Sequence, residues 1–193
     1  MNKNITNQPI LIRKVGFKMK KIIILLSIIS IVFIMTNKES EYVIIPKDSI
    51  RFRIIPNSNT VNDLYMKELV KEEITSVINE IETSKNITET REKIMSSYPK
   101  IKYKISELFK ENNYNETFEI NYGTNYFPEK IYKGVKYPEG NYESMVIKIG
   151  VASGDNYWCV LFPPLCMMEA KETDKVEYKF FIEEIINKYI KNK

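Results

Sequence analysis

The chain of 193 residues contains no histidine. That absence removes Ser/His/Asp and Cys/His triads, histidine-bound zinc or iron, and the usual general base near neutral pH. Aspartate is almost as sparse: Asp48, Asp63, Asp155 and Asp174 are too scattered to suggest a designed dyad, and no carboxylate run has calcium-loop spacing. Two cysteines are too few for a tetrahedral metal site. The sequence thus offers no catalytic, metal or cofactor-binding set, and no small-molecule substrate is expected. Clustered positive charge is missing as well, except at the amino end. The formal net charge is +4, but Lys3, Arg13, Lys14, Lys18, Lys20 and Lys21 all precede the first acid, which leaves −2 for the rest. A near-neutral folded part argues against nucleic acid.

What is present begins with Ile22 to Met35, apolar except for Ser27 and Ser30 and preceded by the basic cluster. This is the pattern of an export signal. As a helix it would cover about 21 Å at 1.5 Å per residue, short of the roughly 30 Å hydrocarbon core. No Ala-x-Ala pattern follows it, so the alternatives are a cleaved signal and a short membrane anchor with its amino end inside. Met19, followed by Lys20-Lys21, reads as a natural start for such a signal. The expected organisation is a basic and signal segment over 1–35, a linker over 36–49, one domain over 50–170 and a closing amphipathic helix over 171–193.

Within the domain, Ile50 to Ile55 alternates, with Ile50, Phe52 and Ile54 on one face and Arg51, Arg53 and Ile55 on the other, predicting a strand with one buried face. Asn57-Ser58-Asn59-Thr60 closes it and caps a helix over Val61 to Glu82 with apolar residues at three-and-four spacing. A second helical stretch starts near Thr88 and is expected to break at Pro99, giving two pieces, 88–97 and 99–112. Period two then takes over. Thr117 to Tyr122 and Tyr142 to Ile149 read as strands, and Phe127 to Lys136 as irregular chain or a short strand. Gly150 to Asn156 is expected to turn Tyr142–Ile149 back into Tyr157–Phe162 as an antiparallel hairpin. Phe181, Ile185, Ile186 and Tyr189 mark the apolar side of the last helix. The class is α+β, a small, mostly antiparallel sheet packed by helices.

The only tryptophan and both cysteines fall in Trp158-Cys159-Val160-Leu161-Phe162-Pro163-Pro164-Leu165-Cys166. The strand is apolar on both alternating faces and ends at two prolines that cannot donate to a ladder. Cys159 and Cys166 admit three readings: a nucleophile, which lacks a partner base; free core thiols; or a disulfide, favoured by an exported setting. Gly154-Asp155-Asn156 reads as turn chemistry, with glycine supplying positive φ.

Gly140-Asn141-Tyr142-Glu143-Ser144, then Ile147-Lys148-Ile149-Gly150, then Gly154 to Cys166 together resemble the C-terminal signature of the stage II sporulation protein R family. Arg51-Phe52-Arg53-Ile54-Ile55-Pro56-Asn57-Ser58-Asn59 is similar to a second family motif near the start of the domain. The pattern departs from the family at Tyr157, where a second tryptophan is usual, at Pro56 for a small residue, and at Asn59 for an aspartate. The resemblance implies an exported signalling protein, made in the forespore and delivered to the space between the forespore and mother-cell membranes. There it would trigger a membrane-bound aspartic protease that cleaves the sigma-E precursor. Polar positions in the matched motifs, Arg51, Arg53, Asn57, Glu143 and Asn156, are then the expected partner contacts, placed on exposed surface. The competing class is a small exported hydrolase or carbohydrate-binding envelope protein, with a glutamate pair hidden among the acids.

Overall fold

The computed structural model describes residues 20–30, 42–132, 134–166 and 175–191. It divides into two units, Met1–Glu41 and Tyr42–Lys193. In the first, residues 20–30 form a helix, α1, whose side chains are exposed. The remainder of the expected hydrophobic segment, through Met35, and residues 36–41 of the expected linker lie outside the described residues. Among the described residues, no helix is long and apolar enough to cross a membrane.

The second unit is α+β. Strands β1 (Val43–Ile44) and β2 (Ile50–Ile55) lead into helices α2 (Val61–Glu82) and α3 (Ile87–Glu111). Strands β3 (Phe118–Phe127), β4 (Lys130–Tyr132), β5 (Val135–Tyr137), β6 (Gly140–Ile149) and β7 (Tyr157–Phe162) follow. The chain closes with α4 (Lys175–Ile186), which continues as a π-helical turn over Asn187–Lys191. A four-stranded sheet has the order β3-β6-β2-β7, and a three-stranded sheet the order β1-β5-β4.

Both long helices start as the sequence predicts. The Thr60 hydroxyl accepts from Asp63 N at 3.2 Å and the Asn86 side chain from Glu89 N at 3.0 Å. Each satisfies an amide that has no partner inside its helix. One face of the large sheet then buries Phe52 and Ile54, Met145 and Ile147, Ile120, Cys159 and Leu161 against Val70, Ile74, Val77 and Ile81 of α2 and Ile94, Ile101 and Ile105 of α3. A second cluster joins Val43, Val135 and Tyr137 of the small sheet to Val160 and to Tyr178, Ile182 and Ile186 of α4.

Four expectations need correction. β6 and β7 do not form a hairpin: β2 lies between them, parallel to β6 and antiparallel to β7. Tyr157–Phe162 is apolar on both faces, so it can pair with any covered strand, and turn residues alone do not choose which. Pro99 does not break α3, which is continuous across it. Proline costs an interior helix about 3 kcal/mol. Here it is exposed, while Ile94, Ile101, Ile105 and Phe109 anchor both sides in the core. Residues 42–49 are not linker, because Val43–Ile44 pairs with β5 and Ile45 is buried. Finally, β2 is buried on both faces rather than one.

Candidate functional site

The two stretches that resemble family motifs meet in space along β2 and in the loop that follows it. The meeting place has two halves of opposite character.

The first half is a polar clasp around Asn57. Its Oδ1 accepts from Val151 N at 3.0 Å, its carbonyl accepts from Ser153 Oγ at 2.7 Å, and its Nδ2 donates to Asp63 Oδ2 at 3.1 Å. Asp63 is buried and gathers further donors, Ser58 Oγ at 2.5 Å and Tyr114 OH at 2.6 Å. The hydrogen bonds from Ser58 and Tyr114 hold its carboxyl below the usual carboxylate range, against the opposing pull of burial. Burial, then Asp63, push the Tyr114 phenol up. Across the loop, Asp155 N donates to Asn59 Oδ1 at 2.6 Å and Gly154 N to Pro56 O at 3.2 Å. Gly154 is needed for proximity rather than for positive φ, which corrects the turn reading: a Cβ there would lie 2.3 Å from Ser58 O. At Gly150 both reasons apply, with φ +53 and a Cβ that would sit 2.2 Å from Asn57 Oδ1.

The second half is the face of the large sheet turned away from α2 and α3. Arg51 is only 1% exposed, contrary to the expectation of an outward-facing arginine. Aromatic residues cover it. Its guanidinium carbon lies 3.4 Å from the ring centroid of Tyr142 and 5.4 Å from that of Phe127, and Arg53 stacks 4.6 Å from Phe127. Phe127 meets Trp158 edge to face at 5.2 Å. Desolvation lowers the Arg51 pKa, opposed by the phenols of Tyr142 and Tyr137, and it lowers that of Arg53 too. Among the described residues, Nε and both terminal nitrogens of Arg51 have no hydrogen-bond partner, nor has Nε of Arg53.

Tyr142 also forms part of the wall of a cavity of about 470 Å³. Lys47, Ser49, Arg91, Asn141, Glu143 and Phe162 are among the other residues that line it. Ser49 is 2% exposed, and its Oγ likewise has no partner among the described residues. Glu143 is fixed by a bidentate pair with Arg91, Nε to Oε1 at 2.9 Å and Nη2 to Oε2 at 2.8 Å, and by the Tyr122 hydroxyl. The hydrogen bond from Arg91 is the main reason its carboxyl is held low.

Of the five expected contact residues, Arg51 and Arg53 belong to the aromatic face, Glu143 lines the larger cavity beside Arg91 of α3, and Asn57 belongs to the clasp. Asn156 lines a smaller cavity of about 260 Å³ beside Trp158, Lys130 and Tyr132. Cys159 and Cys166 are disulfide-bonded, with Cα atoms 5.0 Å apart, inside the usual range. Buried Glu82 accepts Cys166 N at 2.6 Å, which orients the chain beyond the prolines. Sequence reasoning missed Asp63, Tyr114, Glu82, Phe127 and Tyr142 as site residues. Only Tyr142 carried a signal, since it sits inside a quoted motif beside Glu143.

A family model described as Stage II sporulation protein R matches residues 46–172, spanning clasp, arginines and disulfide together. The chain belongs to that family. It is 35% identical over 143 residues to the Stage II sporulation protein R of Bacillus subtilis (strain 168), a match that covers 72% of this chain and 62% of that protein. Family membership ties the chain to sporulation. No solved structure matches it.

Proposed function

We propose that the chain is an exported signalling protein of sporulation rather than a catalyst. Its segment through Met35 directs the Tyr42–Lys193 domain across the forespore membrane, and the domain then activates a membrane aspartic protease that faces it from the mother cell. The protease in turn processes the sigma-E precursor. The observation that carries this reading is the family match over residues 46–172, which covers most of the folded domain. The basic cluster ahead of Ile22 agrees with export.

In this reading the recognition surface is the rim of the larger cavity. Asn141 and Glu143 come from a matched motif, and Arg91 holds Glu143 in place. Binding there shifts the protease toward its active form, which requires the domain to bind that form more tightly. The test is reconstitution of the Tyr42–Lys193 domain with the protease and the sigma precursor. Cleavage that depends on the added domain supports the proposal, and cleavage at the same rate without the domain overturns it.

A further inference from the structure

Arg51 presents a physical problem that the fold alone does not solve. A buried cation without hydrogen bonds is costly, and buried polar groups in native proteins are almost always paired. The ring of Tyr142 at 3.4 Å offsets part of the charge cost, but a π face leaves Nε, Nη1 and Nη2 without an acceptor in hydrogen-bonding geometry among the described residues. Two residues upstream, Ser49 Oγ is also buried and without a partner among the described residues, and two residues downstream so is Arg53 Nε. Donors without acceptors thus line up along one short stretch of chain. In the neighbouring clasp, by contrast, the side chains of Asn57, Ser58, Asp63 and Tyr114 pair with one another.

The one side chain shared by the guanidinium stack and the larger cavity is Tyr142. The cavity, at about 470 Å³, lies within the size range of ligand sites. Two carboxylates, Asp48 and Glu143, border it, but Glu143 is neutralised by Arg91, and Lys47 stands beside Asp48. We propose that this cavity is a carboxylate-binding site: the anion enters beside Ser49 and Asn141, Tyr142 rotates off the stack, and the carboxylate takes the donors of Arg51. A guanidinium fork matches a planar carboxylate with two parallel hydrogen bonds, and the Ser49 hydroxyl supplies a third donor. The inference deepens the recognition reading by naming the chemistry that the rim receives, and rests on it only for the source of the carboxylate.

The test needs no protease, so its failure is separate from a failure of the signalling role. In the isolated chain, the arginine side-chain Nε–H resonances are followed by NMR during titration with acetate. A second titration uses a short alanine peptide carrying one glutamate, and sodium chloride at matched ionic strength is the control. The Arg51 resonance is expected to shift saturably with carboxylate, and by more than that of Arg91, which lines the same cavity. At ten times the half-saturating concentration the melting temperature should rise by about 4 °C. The same rise should be absent in Arg51→Met. Response to acetate and to the glutamate peptide assigns the site to an acidic segment of a partner, and response to acetate alone assigns it to a small free carboxylate. An unmoved Arg51 resonance, or an equal rise of melting temperature in Arg51→Met, overturns the proposal.

Discussion

The stretch Arg51 to Asn59 contains two regions built on opposite principles. Around Asn57 and Asp63, donors find acceptors across three segments of chain, Gly154 lets the backbone approach Ser58, and Gly150 leaves room for the Asn57 side chain. A few residues earlier, three nitrogens of Arg51 find none among the described residues. A fully satisfied buried network rigidifies, whereas an unsatisfied one lowers stability and persists only with another reason to exist. The comparison separates positions that hold the domain together from positions that await a ligand.

The contrast is broken most severely from the clasp side. Gly154→Ala should cost about 3 kcal/mol or more, because the new Cβ meets backbone rather than a yielding side chain. Asp63→Ala should cost about 2–4 kcal/mol by stranding the Tyr114 and Ser58 hydroxyls. Urea unfolding checks both, and a loss below 1 kcal/mol in either would mean that the loop relaxes and the clasp is not a keystone. Opening the disulfide with Cys159→Ser and Cys166→Ser should come next, at about 2–3 kcal/mol for so short a loop.

The clasp should also carry a pH signature. The Asp63 carboxyl is held low in the folded chain, so its stabilising effect is present above the unfolded value of about 3.9 and is lost as pH falls through the lower folded value. Unfolding free energies of the native chain and of Asp63→Asn, measured from pH 6 down to pH 2, should therefore converge in acid. A constant gap would place the effect of Asp63 in shape rather than charge. The smallest loss is expected at the cavity rim, where Arg91→Ala breaks a partly exposed ion pair and should cost no more than about 1 kcal/mol.

Much of this was legible beforehand, for local reasons. Helix starts at Thr60 and Asn86 depend on a side chain meeting an amide three residues on, and alternation along Ile50–Ile55 depends only on the pleat. What failed was non-local. The direction of Arg51 was read correctly, but its burial depends on Phe127 and Tyr142, which arrive from other strands, and no local pattern announces that an arginine on the alternate face will be roofed by aromatics. The neighbours of β7 were misjudged because a strand apolar on both faces carries no record of its partner. Asp63 looked like one scattered acid among four, because its partners lie five, six and fifty-one residues away.

Arg51→Met tests the central distinction most directly, read by melting temperature and by domain-dependent cleavage of the sigma precursor in the same preparation. Replacing an unpaired buried charge with an apolar side chain is often neutral or stabilising. The Arg51→Met chain should melt at or above the native temperature and yet fail to promote cleavage. A folded Arg51→Met chain that supports cleavage at the native rate would contradict that distinction.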